Sequence, residues 1–339
     1  MNTQVLQPDE KSLALAGELL KNGELVGIPT ETVYGLAANA LNGKAVKSIF
    51  KAKGRPMDNP LIVHIADISQ VEDLVSSFPE KARALAKAFW PGALTIIMPC
   101  SQNVPAEVTA GLNTVAVRFP SHKTALEIIK SAGVPLAAPS ANLSGSPSPT
   151  TAQHVYNDLN GRIPLIIDGG ESNVGLESTV ITVATEPPTL LRPGGITVEQ
   201  LEGVIGKINI DKGVTQMLDI NAVVASPGMK YKHYSPKAHI VILKGSTAEY
   251  INYINTNKDS TTGALCYNSD VNALDVPYVS LGDENDYTAQ AHNLFTALRQ
   301  LDEMGLKTVY ARCPSTNGVG LAVYNRLIRS AGFEVVELA

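Results

Sequence analysis

Apolar residues recur along this chain at two spacings, one typical of amphipathic helices and the other typical of short buried strands. The helical spacing predicts helices at 11–22, 44–53, 69–77, 79–88, 123–132, 151–159, 197–205, 247–257, 287–304 and 318–331. Compact apolar runs predict strands at 25–28, 61–65, 94–98, 164–168, 239–244, 263–267, 277–281, 307–311 and 333–337. Because helices and strands alternate in this way, the pattern predicts an α/β protein.

The regularity of this alternation changes twice and divides the chain. From residue 237 onward, strands and helices alternate cleanly, which is typical of a small Rossmann-like layer structure. No glycine-rich fingerprint follows the first strand there, so dinucleotide binding is not supported. Residues 206–236 are irregular and hold the run Lys230-Tyr-Lys-His-Tyr234 between two Ser-Pro pairs, which is unlike a plain flexible spacer. We therefore predict an α/β domain at 1–205, a linker at 206–236 and a smaller Rossmann-like domain at 237–339.

Composition and charge narrow the classes of function. The chain has 339 residues, a formal net charge of −5 and a single tryptophan, which argues against a nucleic-acid coat protein or an aromatic stacking platform. Cys100, Cys266 and Cys313 are too few and too widely spaced for a zinc motif or a disulfide framework, which favours a reducing compartment. Neither a signal segment nor an apolar run long enough to cross a membrane is found. We therefore expect a cytoplasmic protein with no membrane partner.

The helix at 44–53 ends in an unusually basic loop. Lys51, Lys53 and Arg55 concentrate positive charge in a chain that has 27 Lys and Arg residues against 32 Asp and Glu residues. Gly54 fits the left-handed backbone position that follows many helix ends. The cations are either a solvated helix end stabilised by the helix dipole or a binding loop for an anionic small molecule. The acidic background of the chain favours the second interpretation.

Three further polar segments follow or interrupt predicted strands. Pro29-Thr-Glu-Thr-Val-Tyr-Gly35 places two threonine hydroxyls directly after a strand, where they either cap a turn or contact a ligand. In the alternating segment 113–119, Arg118 requires a buried partner, either an internal acid or a ligand carboxylate. Ala138-Pro-Ser-Ala-Asn-Leu-Ser-Gly145 is either a plain loop or a set of small residues and hydroxyls that cradles a phosphate.

The common catalytic motifs are missing from the sequence. No P-loop, serine nucleophile elbow, His-Glu-x-x-His segment or cysteine cluster is present. The polar residues near strand ends are instead Lys, Arg, Ser, Thr and Asn, which bind and position anions but offer no evident covalent nucleophile. Such a set suits phosphate-based activation, in which positioning and charge stabilisation supply most of the catalysis. The residues themselves therefore indicate a nucleotide-dependent ligase or adenylating enzyme without a Walker motif.

Six motifs in fixed order resemble a known family. They are Pro29-Thr-Glu-Thr-Val-Tyr-Gly35, Lys53-Gly-Arg-Pro56, Asn59-Pro-Leu-Ile-Val-His64, Ala138-Pro-Ser-Ala-Asn-Leu-Ser-Gly145, Glu177-Ser-Thr-Val180 and Leu191-Arg-Pro-Gly194. Over residues 10–205 the chain resembles the YrdC-like threonylcarbamoyl-AMP synthases, and the rest resembles the longer, two-domain branch of that family. The resemblance implies a twisted mixed open sheet with helices, followed by a smaller C-terminal Rossmann-like α/β domain.

The resemblance also implies a reaction and a set of binding residues. ATP, L-threonine and bicarbonate would give threonylcarbamoyl-AMP and pyrophosphate, which makes the chain a nucleotidyltransferase serving tRNA modification beside the anticodon. Downstream transfer machinery would be a partner, and tRNA a possible one. L-threonine would be bound by Thr32, His64, Arg118, Ala138 and Ser178. ATP would be bound by Lys53, Arg55, Asn59, Thr114, Ser140, Ser148, Arg192 and Tyr231.

The resemblance implies little beyond these binding groups. Mg²⁺ is expected to accompany ATP, held largely by phosphate and water, and neither a dedicated metal site nor a prosthetic group is predicted. No catalytic residue and no general base is assigned. The resemblance places the linker over the active site, where we expect it to act as a lid that Tyr231 attaches to the nucleotide. The alternative for this segment is an ordered strap between the domains.

Two other functions stay open at this point. Isolated YrdC-like domains look suited to double-stranded RNA, so a module that binds double-stranded RNA or tRNA is one alternative. The other is a carbamoyl transferase with a different acceptor, because related domains occur in hydrogenase-maturation proteins. Those proteins carry cysteine arrays and an acylphosphatase segment that this sequence lacks. The salt dependence of RNA affinity, set against pyrophosphate release, distinguishes a binding module from an enzyme.

Overall fold

The strands of this chain form two separate sheets, one from each half of the sequence. The computed structural model describes residues 2–217 and 234–338. Within these residues, eleven strands of the first half form one sheet and five strands of the second half form the other. The predicted class, a mixed α/β domain followed by a smaller Rossmann-like α/β domain, is thereby confirmed. The predicted domain limits at 205 and 236 stay predictions.

The first half alternates strands and helices. Its strands are β1 Gln4–Leu6, β2 Val26–Ile28, β3 Gly35–Asn39, β4 Ile62–His64, β5 Leu94–Pro99, β6 Thr114–Arg118, β7 Leu136–Ala137, β8 Leu165–Ile167, β9 Thr179–Thr182, β10 Thr189–Arg192 and β11 Asn209–Ile210. Its helices are α1 Glu10–Lys21, α2 Gly43–Lys53, α3 Val71–Leu74, α4 Glu80–Phe89, α5 Ala106–Thr109, α6 Lys123–Ala132, α7 Ala152–Leu159 and α8 Val198–Ile205. Short 3₁₀ helices lie at Ile68–Gln70 and Lys212–Val214.

The first sheet is mixed and open. Its strand order is β1-β8-β2-β3-β7-β4-β6-β5-β9-β10-β11. The central strand β4 pairs parallel to β6 and antiparallel to β7, while β5 pairs antiparallel to β6 and parallel to β9. The central strands are buried over almost their whole length, which is why the sequence shows them as compact apolar runs. Polar residues within or directly after these strands are therefore held in fixed positions.

The second half forms a parallel sheet with helices between its strands. It contains β12 His239–Lys244, β13 Thr262–Cys266, β14 Tyr278–Ser280, β15 Thr308–Arg312 and β16 Val335–Glu337, with α9 Thr247–Asn257, α10 Tyr287–Glu303, α11 Gly320–Ser330 and a 3₁₀ turn at Val271–Ala273. The strand order is β14-β13-β15-β12-β16, and each neighbouring pair is parallel. Helices α10 and α11 pack against each other. Both belong to the apolar core of this half.

The two halves share an interface that is partly apolar and partly charged. Val33 and Leu176 of the first half pack into the apolar core of the second half. Arg299 on α10 donates two hydrogen bonds to the carboxylate of Asp158, at 3.0 and 2.9 Å, and a third to the Pro147 carbonyl. The second half is therefore fixed to the loop at 143–149 that follows β7.

Two local predictions differ from the structure. The helix predicted at 69–77 is wrong in extent, because only a 3₁₀ turn and the four-residue α3 form there. The chain leaves the helical path at Val75, which forms an isolated bridge with Cys100, and the amide of Ser76 donates to the Pro99 carbonyl. Strand β3 was not predicted, because its Gly-Leu-Ala-Ala-Asn sequence has low strand propensity and forms a strand only through its pairing with β2 and β7.

The end of α2 follows the prediction closely. Gly54 has a φ of 64°, the left-handed conformation that glycine adopts at little cost, and its amide donates to the Lys51 and Phe50 carbonyls. The chain therefore turns sharply after Lys53 and carries Arg55 back over Phe50, with the guanidinium 5.7 Å from the ring centroid. This turn places two cations of the basic loop against the next part of the sheet.

Candidate active site

Nine of the predicted binding residues line a single cavity of the first half. They are Thr32, Lys53, Arg55, His64, Arg118, Ala138, Ser140, Ser178 and Arg192. The sheet brings several of them together directly, because His64 on β4 lies opposite Arg118 on β6, and Arg118 lies opposite Thr95 on β5. Ser140 follows β7 and bridges to Gly35 at the start of β3. The central strands thus form the floor on which the polar side chains converge.

The first cluster on the cavity wall, the Arg118 group, consists of Glu31, Thr32, His64 and Arg118. The Nη2 of Arg118 lies 2.8 Å from Oε1 of Glu31, and Nη1 donates to the Thr32 hydroxyl at 2.8 Å. Glu31 stands behind the wall, and Ser121 donates its amide to the same carboxylate. Burial acts to raise the pKa of Glu31, but Arg118 more than offsets it, so the pKa lies below its usual value. The buried arginine therefore has the internal acid as a partner.

His64 is the neutral member of the Arg118 group. Its side chain is 3% exposed, and burial together with the charge of Arg118 lowers its pKa to about 3. Its Nδ1 has no hydrogen-bond partner among the residues that the structure describes. At neutral pH the imidazole is uncharged, and a buried polar nitrogen on the cavity wall is left for a ligand group.

The second cluster, the Lys53 group, consists of Lys53, Arg55, Ser140 and Asn142. Lys53 is buried, and its Nζ donates to the Ser140 carbonyl and to the Asn142 carbonyl at 2.6 Å. The Asn142 side-chain oxygen accepts a hydrogen bond from the Ser140 hydroxyl at 2.6 Å. Burial, followed by repulsion from Arg55, lowers the pKa of Lys53. The lysine therefore ties the end of α2 to the loop after β7.

The third cluster, the Arg192 group, consists of Glu177, Ser178, Arg192 and Tyr234. Arg192 donates from Nε to the Ser178 carbonyl at 3.0 Å and from Nη2 to the Ser178 hydroxyl at 3.2 Å. That hydroxyl also lies 2.7 Å from the hydroxyl of Thr95. Burial lowers the pKa of Arg192 to about 10, so it is a cation at neutral pH. Four basic side chains and one carboxylate therefore line the cavity among the residues described, and the three arginines suit an anionic ligand.

Comparison with known proteins assigns the family. A family model of Sua5, YciO and YrdC proteins, described as "Telomere recombination", matches residues 18–194, and one described as "Threonylcarbamoyl-AMP synthase, C-terminal domain" matches residues 196–332. The chain is 50% identical over 338 residues to a Bacillus subtilis protein named threonylcarbamoyl-AMP synthase, with 98% of this chain and 97% of that protein covered. The chain belongs to the threonylcarbamoyl-AMP synthase family.

Other members of the threonylcarbamoyl-AMP synthase family match over the same length. A Pyrococcus abyssi protein of that name is 45% identical over 340 residues, with 97% of each chain covered. The crystal structure of P. abyssi Sua5 complexed with L-threonine superposes with a TM-score of 0.91 at 43% identity, and all of both chains is covered. The resemblance inferred from the six motifs is thereby confirmed.

Some predicted binding residues of this family member lie off the cavity wall. Asn59 is buried, and its carbonyl lies 3.5 Å from Nη2 of Arg55. Thr114 is at the start of β6, opposite Pro99 on β5. Ser148 is fully buried and donates its hydroxyl to the Glu177 carboxylate. Tyr231 and the other residues at 218–233, which belong to the predicted linker at 206–236, lie outside the described residues. The binding roles of all predicted residues stay predictions.

Sequence reasoning gave no binding role to several residues that the structure places at the cavity, among them Glu177, Tyr234 and Asn142. Glu177 was inside a quoted motif without a role, Tyr234 was in the linker run, and Asn142 was in the loop after β7. Tyr234 has a φ of 63°, is 6% exposed and packs its ring 5.2 Å from that of Phe295. A bulky residue in the left-handed region is uncommon and marks a position held by its surroundings. The conformation of Tyr234 cannot be inferred from the sequence and becomes apparent only in the structure.

Neither a cluster of metal ligands nor a membrane-spanning helix is found among the described residues. Among residues 2–217 and 234–338, no group of three His, Cys, Asp or Glu side chains is placed to hold a metal ion. In the same ranges, none of the helices has both the length and the apolar character that crossing a bilayer requires.

Proposed function

We propose that this chain makes threonylcarbamoyl-AMP and pyrophosphate from ATP, L-threonine and bicarbonate. An adenylyl group then passes from ATP to a carboxylated threonine, which makes the enzyme a nucleotidyltransferase. The observation that carries the proposal is one cavity that combines a neutral imidazole beside an arginine with two further cationic clusters. This arrangement occurs in a chain that matches threonylcarbamoyl-AMP synthases over its full length.

The Arg118 group suits L-threonine. A guanidinium forms strong paired hydrogen bonds with a carboxylate, so Arg118 is proposed to hold the carboxylate of the amino acid. The free Nδ1 of His64 is proposed to meet the hydroxyl. Thr32 and Ser178 add hydroxyl groups, and the small side chain of Ala138 leaves room for the methyl group.

The Lys53 and Arg192 groups suit the nucleotide. Lys53, Arg55, Ser140 and Arg192 are proposed to bind ATP through its phosphates. Asn59, Thr114, Ser148 and Tyr231 are proposed as further ATP-binding residues. The two buried carboxylates Glu31 and Glu177 are each paired with an arginine, so they do not form a site for a divalent ion. ATP is therefore proposed to enter with Mg²⁺ held by its own phosphates and by water.

The proposed chemistry has two steps. The threonine ammonium group first loses one proton to solvent or to a phosphate oxygen. The amine then attacks the carbon of bicarbonate, and its next proton leaves with the bicarbonate hydroxyl as water, which gives a carbamate. A carbamate oxygen then attacks the α-phosphorus of ATP, and the bond to pyrophosphate breaks. Charge builds up on the phosphate oxygens in this step, and Lys53, Arg55 and Arg192 would stabilise it.

The product defines the cellular role that we propose. Threonylcarbamoyl-AMP is an activated acyl donor, so a transfer machinery that delivers its acyl group to tRNA beside the anticodon must consume it. We propose a cytoplasmic location, where tRNA and that machinery are available. Direct contact of this chain with tRNA is not needed for the two steps above.

Mass spectrometry of the products tests the proposed function. The full chain, incubated with ATP, Mg²⁺, L-threonine and ¹³C-bicarbonate, is expected to give threonylcarbamoyl-AMP that carries the label, together with pyrophosphate. Omission of any one substrate should abolish the product. ATP consumption that does not depend on threonine, with no labelled adenylate, would contradict the proposal. Salt-dependent RNA binding without product would instead support a binding module.

A further inference from the structure

Arg326 connects the second half of the chain to the cavity without lining it. The residue lies on α11 with a side chain that is fully buried. Its Nε donates to Oε2 of Glu177 at 2.8 Å, Nη2 donates to the Glu177 carbonyl at 3.3 Å, and Nη1 donates to Oδ1 of Asn325 at 2.7 Å. Its guanidinium carbon is 5.8 Å from the ring centroid of Tyr234. One buried arginine therefore contacts two residues of the cavity wall from behind.

Glu177 is an unusual member of that wall. It is the one carboxylate among the described wall residues, which include three arginines and a lysine. Its Oε1 accepts a hydrogen bond from Ser148, and its Oε2 faces Arg326. Burial acts to raise the pKa of Glu177, but Arg326 and then Arg192 offset this, and the pKa lies below its usual value. The carboxylate is therefore ionised at neutral pH.

An ionised carboxylate at this position opposes the binding of an anion. Burial lowers the pKa of Lys53 and of Arg192, and the charge of Glu177 counteracts this effect in both. Glu177 is thus close enough to act on two residues that are proposed to bind ATP. Like charges that face each other in a buried site cost several kcal/mol unless a counter-charge is present.

Stability alone is a weak reason for a buried ion pair. The desolvation of two charges offsets most of their attraction, and well-packed apolar replacements are often as stable. The Arg326–Glu177 pair is buried on both sides, and its side chains are 0% and 9% exposed. The pair is therefore better explained by the charge that it leaves at the cavity than by the energy that it adds to the fold.

We propose that Arg326 is a positioning residue for ATP: it cancels the charge of Glu177 from behind the wall and keeps the nucleotide part of the cavity cationic. The second half of the chain thereby supplies the positive charge of Arg326 to the proposed nucleotide site. The inference deepens the proposed function in its choice of ATP as ligand, but its main readout, equilibrium binding of ATP, does not require turnover.

Charge-selective variants of the full chain test this role. Arg326→Met removes the cation that is paired with Glu177, and we expect the Kd for ATP from titration calorimetry to rise by about tenfold or more. The Kd for L-threonine should change by less than about threefold, because the Arg118 group keeps its own carboxylate partner. Adding Glu177→Gln to Arg326→Met removes the unpaired charge, so the Kd for ATP should return to within about threefold of the original value.

A control variant separates this effect from a loss of stability. Arg312 is 5% exposed and is paired with Asp270 and Glu284 inside the second half, away from the cavity. Arg312→Met should lower the melting temperature and leave the Kd values for both ligands unchanged. Arg326→Lys, which keeps a cation without the planar fork, should retain ATP affinity better than Arg326→Met.

Each result either supports the role of Arg326 or overturns it. An unchanged Kd for ATP in folded Arg326→Met, equal losses of ATP and threonine affinity, or no recovery in the double variant would overturn it. If Arg326→Met does not fold, the double variant Arg326→Met, Glu177→Gln still tests the proposal. Because its two replaced side chains are neutral, this variant is expected to fold and to bind ATP nearly normally. If the native chain binds ATP but makes no labelled product, the proposed function fails and the binding test of Arg326 still stands.

Discussion

Two buried ion pairs at the cavity face it in opposite orientations. In the Arg118–Glu31 pair the arginine lines the cavity and the acid stands behind it, whereas in the Glu177–Arg326 pair the acid lines the cavity and the arginine stands behind it. The closest separation is 2.8 Å in both. The first pair lies within one sheet region, while the second joins residues 149 positions apart. The charge that faces the ligand therefore depends on which partner is in front.

Because the arginine of the first pair lines the cavity beside a neutral histidine, we expect the Arg118 group to recognise a small ligand by shape and hydrogen bonding. The Nδ1 of His64 is buried without a partner among the described residues, so a ligand without the hydroxyl would leave it unpaired. We expect 2-aminobutyrate to be used about 10⁴-fold less well than L-threonine, as judged by kcat/KM for pyrophosphate release. Serine, which lacks only the methyl group, should lose only about 10–200-fold.

Comparable use of threonine and 2-aminobutyrate would mean that the hydroxyl is not recognised. Serine provides the matched control, since it keeps the hydroxyl and differs only in apolar contact with the wall near Ala138. The nucleotide part of the cavity serves as an internal reference, because the KM for ATP should be the same with each amino acid that is accepted.

Replacing Arg118 of the first pair should lower both the stability of the fold and the affinity for L-threonine. Arg118→Met leaves the carboxylate of Glu31 buried without its cation, and the free energy of unfolding should fall by about 3–5 kcal/mol in denaturant titrations. Glu31→Gln in the Arg118→Met background should recover part of that loss without restoring threonine binding. In the second pair, by contrast, the corresponding neutral double variant should keep its ligand.

An exposed pair provides the reference for this experiment. Lys123 and Glu127 are separated by 4.0 Å with side chains 90% and 42% exposed, so Lys123→Met should leave the denaturation midpoint and threonine binding unchanged. A loss in Lys123→Met as large as that in Arg118→Met would show that burial is not the cause. Full threonine binding in the Arg118→Met, Glu31→Gln variant would remove Arg118 from the site.

The neutral state of His64 should be visible in how the free energy of unfolding depends on pH. The unfolded chain takes up this proton near pH 6.5, whereas the folded chain does so only near pH 3. Between these values the unfolded state binds more protons, so the free energy of unfolding falls as the pH is lowered through the window. The contribution of His64 is about 5 kcal/mol, and His64→Gln should lack it.

Two other histidines leave a residual slope in that variant. Burial also lowers the pKa of His154, to about 4, and that of His122, so acid destabilisation is reduced in His64→Gln and not abolished. His239→Gln replaces an exposed imidazole and controls for the substitution itself. An identical pH dependence in the native chain and His64→Gln would contradict the assignment of a neutral, buried His64.

The sequence predicts the parts of this site that depend on local pattern. The basic turn after α2, the strand that ends in His64 and the position of Arg118 on β6 follow from spacing and from residue type. The partner of Arg118 could not be chosen in advance, because an internal acid and a ligand carboxylate satisfy a buried guanidinium equally well. Only the folded structure shows that Glu31 is such a partner, and a ligand carboxylate as a second partner stays a proposal.

The proposed nucleotide site, made of the Lys53 and Arg192 groups, was harder to predict because it depends on residues from both halves of the chain. The resemblance predicts that Ser148 binds ATP, and only the structure shows that its hydroxyl donates to the Glu177 carboxylate. Glu177 stands in a local motif, yet its charge state is set by Arg326, which no spacing rule connects with it. The same limitation applies to β3, whose weak strand propensity is overridden by two neighbouring strands.

The Glu177–Arg326 contact also has a consequence for the order of events during synthesis. Domains generally fold as units, and the N-terminal part of a chain is made first. The first sheet is complete at β11, when α11 has not yet left the ribosome. Until residue 326 emerges, Glu177 in the nascent first sheet lacks its partner Arg326. The cavity is therefore expected to reach its final affinity for phosphates only after the chain is nearly finished.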